Sequence, residues 1–193
     1  MLKIAVVGPE SSGKTALAEA LMVHYRGGYI SEVSREYLEE IDRPYVEDDL
    51  LEIARALQRL HGGAAKVARE HEAAISGQAL QEVRRVRRPM FYDTDTLNIK
   101  IWSQEKYGRV HPEIERMVRD VRYTWRLLCR PDIPWEPDPF RENPHDRDRL
   151  FAVWERELKA HGFPYTIIEG DREQRMRTAT NIVDVLLEGR EGQ

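Results

Sequence analysis

Residues 8–15 read Gly8-Pro9-Glu10-Ser11-Ser12-Gly13-Lys14-Thr15 and leave the chain few ways to fold. The apolar run Leu2-Lys3-Ile4-Ala5-Val6-Val7 precedes them, and Ala16-Leu17-Ala18-Glu19-Ala20-Leu21 follows. Val6 and Val7 suit a buried strand, while Leu17 and Leu21 are one helical turn apart, so the turn joins a strand to a helix N-terminus. Successive backbone N–H groups there, reinforced by the helix dipole, make a seat for a polyphosphate. Every fixed position of G-x-x-x-x-G-K-[ST] is filled. The candidate nucleotide-binding residues are therefore Gly8, Glu10, Ser11, Ser12, Gly13, Lys14, Thr15 and Ala16. Lys14 supplies a point charge to the β and γ phosphates of ATP, and Thr15 a hydroxyl to Mg²⁺.

A chain of 193 residues suits one α/β domain carrying a lid. With both charge signs interspersed and a net charge of −4, no global field draws it to nucleic acid or anionic lipid, so local cations must hold a phosphate. Cys129 is the single cysteine, which excludes an intramolecular disulfide and points to a reducing compartment. The phosphate-loop strand starts almost at residue 1, and no apolar run approaches membrane-spanning length. The expectation is a cytoplasmic protein without membrane contact. Oligomeric state stays open, a homo-oligomer included.

Gly27-Gly28 stops the first helix and Tyr29-Ile30-Ser31 reads as a second strand. Ligands of open parallel sheets collect beyond the carboxyl ends of strands, which makes Glu32 and Arg35 candidates for substrate contact; a helix cap and a surface ion pair are the alternative. After Asp42-Arg43-Pro44, acidic first-turn residues open a helix with Leu50, Ile53, Ala54, Leu57 and Leu60 on one side, interrupted at Gly62-Gly63. The cluster Arg84, Arg85, Arg87 and Arg88 lacks interleaved aromatics and reads as a solvated helix end rather than a nucleic-acid patch.

Pro89-Met90-Phe91-Tyr92-Asp93 is an apolar strand closed by an acid. A carboxylate fixed there can meet the metal bound by Thr15, so Asp93 with Thr15 forms the candidate metal pair. Asp95 either orients the acceptor hydroxyl or caps the helix that begins at Thr96. Cys129 closes the strand Tyr123–Cys129 as a small core residue.

From residue 130 to 149 the composition changes, and five prolines between Arg130 and Pro144 forbid regular structure. Such a segment reads as a lid whose Arg141, Arg147 and Arg149 reach transferring phosphates, with Trp135 offering an aromatic face. The competing picture is a stiff loop with a packed Trp and paired arginines. Arg172, Arg175 and Arg177 near the start of the last helix read as solvated surface.

Taken together, Gly8–Thr15, Ser31-Glu32-Val33-Ser34-Arg35-Glu36-Tyr37, Asp93-Thr94-Asp95, Trp102 through Tyr107-Gly108, and Leu127-Leu128 leading to Pro134-Trp135 and Asp138-Pro139-Phe140-Arg141 resemble the kinase domain of NadR-type proteins. These are the nicotinamide riboside kinase-like group of P-loop ATPases. The resemblance implies a five-stranded parallel sheet of order 2-3-1-4-5 with helices on both faces, ATP and Mg²⁺ as cofactors, and phosphorylation of the ribose 5′-hydroxyl of nicotinamide riboside. NadR-type proteins carry a nucleotidyltransferase domain before the kinase, whereas here the phosphate-loop strand begins at residue 2, so the expectation is a stand-alone kinase that at most makes the mononucleotide. The expected catalytic set is Lys14, Asp93, Asp95, Glu32 and Arg141. The acceptor would meet Glu32, Arg35, Asp95 and Arg141, with its ring on Tyr37, Trp102 or Trp135. A kinase for another nucleoside or small metabolite, and a regulatory ATPase switch, are the rival readings.

Overall fold

The structure, a computed structural model, describes residues 1–74 and 88–191. Five strands, β1 (Lys3–Val7), β2 (Gly28–Ile30), β3 (Met90–Asp93), β4 (Trp125–Cys129) and β5 (Tyr165–Ile168), form one sheet of order β2-β3-β1-β4-β5. All four pairings are parallel, as the resemblance implied. Seven helices are described: α1 (Lys14–Tyr25), α2 (Val33–Glu40), α3 (Glu47–Ala74), α4 (Thr96–Tyr107), α5 (Pro112–Asp120), α6 (Arg147–Ala160) and α7 (Arg172–Glu191).

Strands buried on both faces need apolar residues at successive positions, and β1 meets that demand. Ile4 and Val6 face Leu17, Ala18 and Leu21 of α1 and Ala179 and Val183 of α7. Ala5 and Val7 point the other way, to Leu97 and Ile101 of α4 and Phe151, Trp154 and Leu158 of α6. A third cluster joins Leu50, Ile53 and Ala54 of α3 to Ile99 of α4 and to Ile114 and Met117 of α5. The register sets Val6 beside both Asp93 and Leu127, so the carboxyl ends of β1, β3 and β4 finish at one level. The sheet order reverses there, which is where open α/β sheets form their ligand crevice.

Three local expectations change. Gly62 and Gly63 do not interrupt α3, which runs through them to Ala74. A glycine costs about 1 kcal/mol in a helix, and the packing of this helix outweighs that. His61 is buried on that helix whereas Leu60 is 43 % exposed, because the apolar stripe steps from Leu57 by four positions. At the end of α1 the left-handed residue is Arg26, with φ 48°. Gly27 is needed instead for close approach, since a Cβ there would lie 2.5 Å from the Pro89 carbonyl oxygen. Arg84, Arg85 and Arg87 lie outside the described residues, and Arg88 is exposed.

Candidate active site

The loop after β1 makes three unusual backbone turns. Gly8 has φ 140°, Gly13 φ 79° and Ser11 φ 50°. A Cβ on Gly8 would sit 2.6 Å from the Cys129 carbonyl oxygen, so the loop can leave the sheet only as glycine. The Ser12 hydroxyl donates to the Pro9 carbonyl at 2.7 Å, and Lys14 Nζ donates to the same oxygen at 2.8 Å. Gly13 N-caps α1 without a side-chain hydrogen bond, which leaves the first N–H groups of that helix for an anion.

Thr15 Oγ1 donates to Asp93 Oδ2 at 2.6 Å, and Tyr29 donates to the same oxygen at 3.5 Å. Asp93 Oδ1 is buried with no hydrogen-bond partner. Burial pushes this carboxyl up to about 6, against the Thr15 hydrogen bond and the Lys14 charge, which pull it down. A buried, half-satisfied carboxylate beside a hydroxyl fits a hard cation that completes its shell from phosphate and water. Among the described residues, no group of three His, Cys, Asp or Glu side chains forms a metal site by itself.

A cavity of about 440 Å³ runs from the phosphate loop, Gly8 to Ala16, to Glu32, Ser34, Arg35 and Leu38 around α2. Asn98, Ile101, Trp102 and Glu105 line it from α4, Leu150 and Trp154 from α6, and Asp138, Phe140 and Arg141 from the proline-rich segment between β4 and α6. Glu32 stands immediately before α2 and accepts from the Ser34 hydroxyl at 2.9 Å. Arg35 pairs with Asp138, and its guanidinium lies 5.6 Å from the Phe140 ring centre. Trp102 donates its indole N–H to Tyr45 at 2.9 Å. Ala16, Glu10, Ser11 and Ser12 all border the cavity, although Glu10 and Ser11 turn their side-chain oxygens toward the proline-rich segment.

Several expected site residues lie elsewhere. Asp95 is absent from the cavity wall: its Oδ1 caps α4 through Leu97 N–H and Asn98 N–H, and its Oδ2 accepts from Arg126 Nε at 2.8 Å. Both carboxylate oxygens are thus used, in the helix cap that is the alternative expectation for this residue and in a buried ion pair. Tyr37 packs between α2 and α3, where it donates to Asp49 at 2.9 Å, and does not reach the cavity. Trp135 is also off the wall; the guanidinium groups of Arg141 and Arg147 stand 5.9 and 5.7 Å from its ring centre, so cations already occupy its surroundings. Arg149 is engaged by Asp146 and Glu105. Arg147 donates to the carbonyl oxygens of Ser11 and Ile133, both at 3.0 Å.

Arg175 corrects the surface reading most sharply. It is 5 % exposed and donates to the carbonyls of Ser12, Arg130 and Gly170, at 2.7, 2.7 and 2.8 Å, while pairing with Asp132. One guanidinium therefore fastens the phosphate loop to the ends of β4 and β5. Of the α4 wall the sequence points only to Trp102; Asn98, Ile101 and Glu105 line the cavity with it, and the four recur at three- and four-residue steps, which place them on one helical face. Among the described residues, no helix is long and apolar enough to cross a membrane.

Comparison with known proteins places this geometry. The trifunctional NAD biosynthesis/regulator protein NadR of Escherichia coli (strain K12) is 24 % identical over 152 residues, covering 76 % of this chain and 32 % of that protein. The protein of the same name from Salmonella typhimurium is 26 % identical over 146 residues, with the same coverages. The chain thus spans about a third of the length of the curated relatives it matches. Among solved structures, NadR in complex with NAD and AMP-PNP superposes with a TM-score of 0.68 at 19 % identity, over 94 % of this chain and 48 % of the other. Deoxyadenosine kinase from M. mycoides superposes with a TM-score of 0.62 at 12 % identity, over 95 % and 100 %. At these identities the likeness is one of fold. The model of an AAA domain matches residues 3–175, from the first residue of β1 to the arginine that fastens the phosphate loop, and the chain therefore belongs to that AAA_28 family.

Proposed function

We propose that this chain is an ATP-dependent kinase that phosphorylates the hydroxyl of a nucleoside, with nicotinamide riboside as the acceptor. The observation that carries the reading is the continuity of one cavity from the phosphate loop to Glu32 and the apolar wall of Leu38, Ile101 and Trp102. Donor and acceptor sites share one enclosure, as direct transfer requires. A switch that only hydrolyses ATP has no use for the second half.

In this mechanism the acceptor oxygen attacks the γ phosphorus, an O–P bond forms, and the bond to the β-phosphate oxygen breaks to release ADP. The hydroxyl proton passes to Glu32, which stands at the cavity wall. Lys14 and the loop N–H groups hold the phosphates, and Arg141, whose Nη1 is 3.4 Å from Ser11 Oγ, offsets charge that develops on the transferring group. Thr15 and Asp93 would hold Mg²⁺, which when bound neutralises phosphate charge. The proline-rich segment acts as the lid that excludes water. An aromatic ring, Trp102, and a carboxylate, Glu32, on the wall of one cavity suit an acceptor with a cationic ring, such as a pyridinium. Relatives named NadR, and a NadR structure described with NR bound, support that acceptor. The same reading carries a cytoplasmic location, where ATP is available.

The test is product formation from Mg-ATP and a panel of nucleosides. Nicotinamide riboside is expected to give its monophosphate with stoichiometric ADP. Turnover of another nucleoside alone overturns the acceptor assignment, and ADP release independent of every acceptor overturns the kinase.

A further inference from the structure

Glu10 is a peculiar residue to find in a phosphate loop. A carboxylate at the mouth of a polyphosphate site adds repulsion to the ligand the loop exists to bind. Its Oε2 accepts two backbone N–H groups of the proline-rich segment, from Glu142 at 3.0 Å and Asn143 at 2.9 Å. Ser11 Oγ accepts the Glu136 N–H at 2.9 Å. Two of the four variable positions in the loop therefore give their side chains to the cover.

The same stretch of chain is anchored elsewhere. The Glu142 side chain takes Lys106 Nζ at 2.8 Å and the Tyr45 hydroxyl at 3.0 Å, and Asp138 takes Arg35. Between these anchors lies Arg141, adjacent to the Glu142 N–H that Glu10 holds and directed at Ser11 and the Glu136 carbonyl. A segment with this many prolines has no internal hydrogen-bond ladder to shape it. Its conformation depends on external acceptors, and Glu10 serves two consecutive donors at once.

We infer that Glu10 is a positioning residue: through the N–H groups of Glu142 and Asn143 it seats the lid so that Arg141 stands over the phosphate loop. The role deepens the kinase reading and rests on it for its catalytic consequence, but the seating itself can be measured without turnover. A charge-bearing acceptor is the stronger one for two shared donors, which explains a carboxylate where the ligand alone would disfavour it.

Glu10→Ala removes the acceptor and the charge, whereas Glu10→Gln keeps an acceptor oxygen and removes only the charge. In the nucleotide-free full chain, amide hydrogen exchange at Glu142 and Asn143 is expected to quicken about tenfold in Glu10→Ala and to stay within about threefold in Glu10→Gln. Unchanged exchange in Glu10→Ala, with the thermal transition intact, overturns the inference. In turnover, kcat should fall about tenfold in Glu10→Ala with the KM for ATP moving less, and Glu10→Gln should restore most of it. If both variants instead shift the KM for ATP together and leave kcat alone, Glu10 acts by its charge on the nucleotide and the positioning role fails. A chain that shows the exchange pattern yet phosphorylates no acceptor refutes the kinase reading and leaves the lid contact standing.

Discussion

Thr15 Oγ1 lies 2.6 Å from Asp93 Oδ2, a hydrogen bond that spans 78 positions and ties the phosphate loop to the end of β3. It brings together the hydroxyl and the carboxylate that a P-loop enzyme uses on its metal, and leaves Oδ1 buried and unpartnered. Asp93→Asn should reduce phosphoryl transfer on the order of 10³-fold. Stability should move the opposite way. Folding raises this carboxyl from 3.8 to about 6, so the folded state favours the protonated form, and the cost of ionising it grows as pH rises through that window. Without nucleotide, Asp93→Asn should be more stable than the parent above pH ~6, by at most about 3 kcal/mol, with the gain gone near pH ~4. Thermal melts across that range, beside transfer assays, check both halves.

Asp95 and Glu32 should separate cleanly. Asp95→Ala strips the α4 cap and leaves the buried Arg126 guanidinium unpaired, which should cost about 3–5 kcal/mol in urea denaturation. The fraction that remains folded should still transfer phosphoryl. Glu32→Gln should change stability by less than about 0.5 kcal/mol and lower kcat by roughly 10²- to 10⁴-fold. A stable but inactive Asp95→Ala would return the acceptor role to Asp95.

The two tryptophans predict different kinetic signatures. Trp102 lines the cavity, so Trp102→Ala should raise the acceptor KM about tenfold and leave the KM for ATP within about twofold. Trp135 stands among Arg141 and Arg147; Trp135→Ala should lower kcat about three- to fivefold through the lid, with the acceptor KM little changed. Steady-state kinetics with each substrate varied in turn tell them apart.

Acid should loosen the packing of α3 on the sheet. His61 lies edge-on to Tyr92, with ring centres 4.4 Å apart, and its Nε2 is 2.8 Å from the Tyr123 hydroxyl. Burial, aided by the Lys3 charge, pushes the imidazole down from 6.5 to about 4. The fold therefore favours neutral His61; its contribution is intact above pH ~6.5 and is lost as pH falls toward ~4, up to about 3 kcal/mol. His61→Phe should flatten this acid limb in a plot of Tm against pH between ~4 and ~8.

Much of the architecture was legible because its causes are local. The turn chemistry of Gly8–Thr15, the apolar runs of β1 and β4 and the stripe on α6 are carried within a few residues, and each appears where its period demanded. Where two local rules competed, the reading failed: the glycine pair at 62–63 is a poor helical dipeptide, but packing along α3 prevails over it.

The sequence by itself determined the phosphate seat, because the motif's glycines, lysine and threonine are contiguous and their geometry follows from backbone conformation. It also determined the alternation of strands and helices. Only the tertiary structure decided what each isolated polar residue does. Asp95 has the same type and position whether it caps a helix or meets a substrate, and its partner Arg126 lies 31 positions away. Arg175 looks like any surface arginine until Ser12, 163 positions earlier, folds against it. A hydrogen bond is made by proximity, and proximity across the sheet is a property of the packed chain that no local window contains.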